Sequence, residues 1–216
     1  MLGSSNGAQR ASRRSRIRPV AGLLLTTVLL GSLASAPSAA ASSVGTTRIA
    51  SVATLTTTTI DRPWLSVEMY YLGLVNCTRT GGWVLRDGTC YGYGSGRFSG
   101  YVRPLIYSWG ISDRVSRPYA RLLAVRGLCT HFADHDPGYR LRRAGFLHWT
   151  WGENIGCRDG YTSVKSAVLA SHLAFQAEKY TGGGHWKNIK NSAYLYVGIG
   201  VWRYGIRTRL VTDFYR

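Results

Sequence analysis

With 216 residues, 45% of them hydrophobic and 12% aromatic, the chain has the apolar content for one ordinary domain and is excluded from being disordered throughout. A formal charge of +17 points to anionic partners, held by attractions that salt screens. The four cysteines lack the short spacing of a thiolate zinc site, so no such site is expected of them.

Residues 1–41 read as a secretory signal peptide. Arg10, Arg13, Arg14, Arg16 and Arg18 form a basic start without an acid, an apolar run from Val20 to Leu33 follows, and small residues from Ala34 to Ala41 offer a cleavage site. The apolar run is too short to span a bilayer comfortably, so the expectation is a secreted, extracellular protein with no transmembrane anchor in the mature chain. Removal of residues 1–41 leaves 22 basic against 10 acidic side chains, a formal charge of +12. Anionic cell-wall polymers, acidic lipids and acidic glycans are the partners this charge fits. Export argues against nucleic acid.

Cys77, Cys90, Cys129 and Cys157 all lie in the exported part, and an even count in an oxidising compartment favours two disulfides among three possible pairings. The preferred pairing is Cys77 with Cys90 and Cys129 with Cys157, because Thr80-Gly81-Gly82 lets the chain fold back between the first two. Each bridge would stabilise the fold by roughly 3 to 4 kcal/mol.

Residues 42–60 are a Ser/Thr-rich linker or arm, and the folded domain is expected over 61–216. Asp61-Arg62-Pro63 can cap a helix over about 63–79, with Leu65, Met69, Leu72 and Val75 at helical spacing. Asn76-Cys77-Thr78 matches a glycosylation sequon, which its helical setting makes accidental. From Gly81 to Gly110 the chain is rich in glycine and aromatics around Tyr91-Gly92-Tyr93-Gly94-Ser95-Gly96, which reads as an ordered loop region fastened by the first disulfide. No Gly-Lys-Ser/Thr follows to make it a phosphate cradle.

Ser112-Asp113 can cap a second helix, which carries Val115, Tyr119, Leu122, Leu123 and Val125 and ends at Gly127. Beyond Cys129, the cluster His131, Asp134, His135 and Asp136 could bind a metal. For Asp134, His135 and Asp136 the favoured reading is a turn, with Asp136-Pro137 starting a short helix over Gly138 to Ala144. Trp149 to Cys157 then packs two indoles, two glycines, Glu153, Asn154 and a cysteine into nine residues. Glu153 is expected at the end of a buried strand, facing a polar pocket completed by other parts of the chain.

Thr162 or Ser163 can cap a third helix to about Tyr180, with Val164, Val168 and Phe175 on its core face and a seam of Ala167, Ser171 and Ala174. Glu178 borders that seam and needs a partner, since burial alone would cost several kcal/mol. The nearest suitable donor is His185, just past Gly182-Gly183-Gly184. Tyr194 to Trp202, a turn at Gly205 and a strand near Arg207 to Tyr215 read as an antiparallel hairpin in the middle of a sheet. Helices early and strands late point to an α+β domain with helices packed on the sheet.

Taken together, Leu72-Gly73-Leu74-Val75-Asn76 with Arg79, Cys129-Thr130-His131-Phe132, Gly152-Glu153-Asn154-Ile155, Gly184-His185 and Val197-Gly198-Ile199-Gly200-Val201 resemble, in order and spacing, the CAP superfamily. This is the cysteine-rich secretory, antigen 5 and pathogenesis-related family, also called SCP-like, and the resemblance covers about residues 64–216. It implies a three-layer α-β-α sandwich with a central, mostly antiparallel sheet and a cleft lined by His131, Glu153, Glu178 and His185. Glu178 rests on its distance before Gly184-His185 rather than on a motif. Many members bind a divalent cation, often zinc, through the two histidines, which would make His131 and His185 the metal ligands. After His185, Trp186-Lys187-Asn188-Ile189 replaces the Tyr-Thr-Gln-Val of eukaryotic members, so the chain is similar to bacterial ones and no animal or plant activity is carried over.

Two functions remain open at the level of sequence. One is a secreted binding module whose His/Glu-lined cleft holds a divalent metal and an anionic or apolar ligand without catalysis. The other is a metal-assisted hydrolase in which Glu153 or Glu178 serves as general base. Neither Gly-x-Ser-x-Gly nor His-Glu-x-x-His occurs, which favours binding.

Overall fold

The computed structural model describes residues 60–216; the expected export signal and the arm through residue 59 lie outside the described residues. Helix α1 (Leu65–Arg79) leads into a small hairpin of β1 (Trp83–Val84) and β2 (Cys90–Tyr91), and β3 (Ile106–Tyr107) follows. A helical stretch then comprises α2 (Trp109–Ile111), a π-helical turn (Ser112–Ser116) and α3 (Arg117–Arg126). After α4 (Pro137–Arg143) come β4 (Trp151–Asp159), α5 (Val164–Ala177), a 3-10 turn (Glu178–Tyr180), α6 (Gly184–Lys190), β5 (Tyr196–Tyr204) and β6 (Arg207–Tyr215). The class is α+β.

The main sheet has the order β3-β5-β6-β4, with β3 parallel to β5 and every other pairing antiparallel. As expected, the last hairpin is central, turning at Gly205 with φ 58. Alternate residues feed two helical layers. Val197, Ile199, Val201, Leu210 and Phe214 pack with Tyr71, Leu74 and Val75 of α1 and Val168 and Phe175 of α5. On the opposite face Ile155 and Val211 meet Tyr119, Ala120 and Leu123 of α3, while Tyr215 joins Ile111, Val115 and Leu141. The sheet is thus the middle of three layers.

The glycines of Val197-Gly198-Ile199-Gly200-Val201 owe their place to that second layer. A Cβ on Gly200 would fall on the Ser116 carbonyl, and one on Gly198 would collide with Ile111 and lie 2.7 Å from Ser116 Oγ. Bare backbone lets the π-helical turn settle onto the sheet, where Ser112 Oγ accepts from Ile199 N–H at 2.9 Å and Ser116 Oγ donates to Asp213 Oδ2 at 2.6 Å.

Both disulfides join the expected partners, Cys77 with Cys90 and Cys129 with Cys157. Several local expectations are corrected. Helix α1 starts at Leu65 behind Trp64, without a cap from Asp61, since Arg62 is drawn sideways onto Asp113 at 2.7 and 3.0 Å. Its buried face also includes Glu68 and Arg79, while Met69 is exposed, because both charges find partners. Arg117 and the Tyr107 hydroxyl hold Glu68, and four backbone carbonyls hold the Arg79 guanidinium. The second helix starts earlier than Ser112-Asp113, with Ser108 accepting from Ile111 N–H as its cap; Gly127 ends it at φ 68 as expected. Val125 on that helix is exposed, as is Ala174 of the expected small-residue seam on α5.

Candidate functional site

Strand β4 positions the first half of the site by alternation. Glu153 points to the α3–α4 layer and Asn154 to the α5–α6 layer. Glu153 Oε1 meets His131 Nδ1 at 2.7 Å, and Oε2 pairs with the Arg140 guanidinium. The carboxylate is 1% exposed, whereas the imidazole is 39% exposed. His131 reaches it because the Cys129–Cys157 bridge fastens the preceding residues to the same strand.

Arg140 is one residue that sequence reasoning missed. From α4, which Asp136 caps by accepting from Tyr139 N–H, its Nη1 donates to the carbonyls of His131 at 2.8 Å, His135 at 2.7 Å and Asp134 at 3.3 Å. Its guanidinium lies 3.5 Å from the Tyr119 ring centroid, and the Tyr119 hydroxyl ties Thr130 and Ala133. One buried cation thus fixes the carboxylate and the loop carrying the imidazole. The available signal was Glu153 itself: an acid in a buried strand needs a cation.

Asp213 was missed as well. It lies opposite Glu153 in the β4–β6 register and is fully buried. Burial first, and then the neighbouring Glu153 charge, push its carboxyl well above the usual range, against the opposing hydrogen bond from Ser116.

The second half forms around the 3-10 turn. Glu178 Oε1 meets His185 Nδ1 at 2.5 Å, and Oε2 accepts from the backbone N–H groups of His185 at 2.9 Å and Trp186 at 3.3 Å. A Cβ on Gly183 would collide with this carboxylate, which explains a glycine there. Burial alone would raise the Glu178 carboxyl; the hydrogen bond and charge of His185, with the two N–H groups, outweigh it and hold the carboxyl below the usual range. The His185 ring stacks on Phe175 at 4.3 Å.

Two asparagines connect the halves. Asn154 donates to the His185 carbonyl at 3.0 Å, and Asn188 donates to Asn154 Oδ1 at 2.8 Å and to the Glu153 carbonyl at 3.2 Å. The glycines of β4 permit this approach: a Cβ on Gly152 would come within 2.6 Å of the Tyr194 hydroxyl, and one on Gly156 within 2.5 Å of Ser171 Oγ.

The four expected residues therefore lie as two His–carboxylate dyads on opposite sides of β4. A cavity of about 350 Å³ opens over the first, lined by His131, Phe132, Trp151, Gly152, Glu153 and Asn188. His185 and Glu178 do not line it, and among the described residues no three His, Cys, Asp or Glu side chains are grouped to hold a metal. In both dyads the carboxylate takes Nδ1 and leaves Nε2 as the remaining ligand atom, the arrangement found behind metal-bound histidines. Each Nε2 is thus chemically suited to a divalent cation, while His131 and His185 stand in separate dyads. Asp134, His135 and Asp136 form the expected turn: Asp134 pairs with Arg143 at 2.7 Å, and His135, at φ 57, lies 4.2 Å from the Tyr139 ring.

No protein-family model matches the chain, and no curated protein matches it. Among solved structures it is similar to an extracellular protein containing an SCP domain from Bacillus anthracis str. Ames, at 19% identity and a TM-score of 0.49, over 70% of this chain and 41% of that one. It is also similar to NaASP2, solved with Zn2+, at 15% identity and a TM-score of 0.45, over 68% of this chain and 78% of that one. A third is Na-ASP-1, at 17% identity and a TM-score of 0.41, over 69% of this chain and 38% of that one. The chain thus spans well under half the length of the Bacillus protein and of Na-ASP-1.

Proposed function

We propose that this chain is a secreted, SCP-like binding domain of the CAP superfamily, with His131 and His185 binding a divalent cation such as zinc and presenting it to an anionic or apolar ligand. The observation that supports this most directly is the pairing of each imidazole, through Nδ1, with its own carboxylate, at 2.7 Å for His131 and 2.5 Å for His185. Such a partner fixes the ring's tautomer and orientation and raises the basicity of the ligating nitrogen. The bound cation would supply a Lewis-acidic centre for an anion. The carboxylates orient the rings, and the Asn154–Asn188 pair holds α6, which carries His185, against β4, which carries Glu153.

Hydrolysis is the weaker reading. A general base needs an oxygen open to the water it deprotonates. Both Glu153 oxygens are engaged, by His131 and Arg140, and both Glu178 oxygens are engaged, by His185 and two backbone N–H groups.

Zinc calorimetry on the purified protein at neutral pH tests the reading. Binding is expected in the native chain, with affinity falling at least tenfold in His131→Ala and in His185→Ala; no heat of binding by the native chain would overturn the metal assignment. Glu153→Gln tests the hydrolase, since any hydrolytic activity that persists in this variant rules out Glu153 as its base.

A further inference from the structure

The glycine- and tyrosine-rich segment between α1 and β3 takes part in neither dyad, yet it is held stiffly. Gly81 and Gly96, at φ 84 and 66, bring two backbones into contact, so that a Cβ on Gly81 would fall on Gly96. Gly96 N–H donates to the Thr80 carbonyl at 3.0 Å, Phe98 N–H to Gly81 at 2.9 Å and Val102 N–H to Arg79 at 2.7 Å. The Cys77–Cys90 bridge fastens the adjacent strand to α1, and the Lys179 ammonium donates to the Phe98 carbonyl.

This scaffold, together with the 3-10 turn that also carries Glu178, presents a continuous row of rings. Tyr91, Phe98, Trp83 and Tyr180 follow one another with centroid separations of 5.6, 6.3 and 6.2 Å. The end rings, Tyr91 and Tyr180, are 52% and 77% exposed, and the middle pair is half-buried. Cations flank the row: Lys179 Nζ lies 5.5 Å from the Trp83 ring and 5.7 Å from Tyr180, and the Arg97 guanidinium lies 5.5 Å from Phe98. Adjoining, partly exposed rings rimmed by cations are a feature of interaction sites. The fixed backbone means that an occupant need not pay to order it.

An occupant that matches every part of the row must be extended, with C–H faces for the rings, hydroxyls for the tyrosine O–H groups and negative charge for Lys179 and Arg97. We propose that the row is a binding site for an anionic polysaccharide, its sugar rings stacking on Tyr91, Phe98, Trp83 and Tyr180 and its acidic groups pairing with Lys179 and Arg97. The site is separate from the metal proposed for His131 and His185 and does not rest on it.

The test measures binding of the native chain to polygalacturonate, with neutral dextran, phosphatidylglycerol vesicles and a single-stranded oligonucleotide as comparisons. Polygalacturonate is expected to bind most tightly and to weaken as sodium chloride rises from about 0.05 to 0.3 M. Tyr91→Ala and Tyr180→Ala, both at exposed positions, should each lower affinity about three- to tenfold, the size of one aromatic contact. Their thermal melts and zinc binding should remain those of the native chain, which separates failure of this site from failure of the dyads. Absence of polygalacturonate binding, unchanged affinity in the double variant, or tighter binding of dextran, vesicles or oligonucleotide would each overturn the proposal.

Discussion

Among single residues, His172 illustrates how a polar group missed in the sequence is accommodated in the core. It lies fully buried on α5, where a helical pattern would place an aliphatic side chain. Thr78 Oγ1 spends its proton on Gln176 Oε1 at 3.1 Å, so its contact of 3.0 Å to His172 Nε2 requires the proton to sit on that ring nitrogen. Nδ1 then carries a bare lone pair with no partner. Burial lowers the pKa of this imidazole from 6.5 to about 3. In the unfolded chain it is protonated below about pH 6.5, whereas in the folded chain it stays neutral down to about 3. The stability it contributes is therefore complete above pH 6.5 and is lost as pH falls toward 3, on the order of a few kcal/mol. Urea unfolding between pH 7 and 3.5 should show this slope, and His172→Gln should flatten it. Equal slopes in the two proteins would show that other groups govern acid unfolding.

The residues of the candidate site were unequally legible. His131, Glu153 and His185 stood in short motifs, and Glu178 followed from the need of a half-buried acid for a nearby donor. Arg140 did not, because it acts across space from a short helix whose arginines look alike in sequence; only Arg140 is fixed under Tyr119. Asp213 carried a signal, as an acid between Thr212 and Phe214 in a buried strand, but its partner Ser116 is 97 residues away.

Among the elements, the closest fit is the π-helical turn on strand β5. Helical periodicity read the stretch from Ser112 to Gly127 as one regular helix, because a π turn differs from an α turn by a single residue and leaves the apolar spacing almost intact. What the sequence did carry was the pair Gly198 and Gly200, whose purpose becomes visible once Ser116 is seated against them. Gly200→Ala should destabilise the fold by about 3 kcal/mol, since its methyl meets backbone that cannot turn aside as a side chain could. A calorimetric melt checks this; a change under about 0.5 kcal/mol would mean that the turn can lift from the sheet without cost.

The boundary of α1 was misread for a related reason. Apolar spacing selected Leu65, Met69, Leu72 and Val75, and only Val75 of these is fully buried. The helix is rotated to place Glu68 against Arg117, an ion pair that no pattern within one helix can announce.

At the scale of the whole molecule, fold class and the central place of the final hairpin were legible from long apolar runs, and the cysteine pairing was preferred among three because Thr80-Gly81-Gly82 lets the chain fold back. No helix among the described residues is long and apolar enough to cross a membrane. With a formal charge of +12 on residues 42–216, the folded chain repels itself, and most of its ten acids are already committed to the pairs and caps described above. Raising sodium chloride from about 0.02 to 0.3 M at pH 7 should therefore increase the melting temperature by a few degrees, as screening relieves the repulsion. A decrease would show that attraction within the ion pairs outweighs it.

The separation of the dyads by β4 bears on how the sandwich is fastened. One disulfide joins α1 to the small hairpin, and the other joins the segment after α3 to β4; neither spans from the α4 side to α6. The Asn154–Asn188 pair and its backbone bonds fasten α6 to β4 alone, on the α5–α6 side of the sheet. The cation proposed for His131 and His185 would add a removable rivet where no disulfide stands, so the mechanical coupling of the layers would then follow the supply of metal.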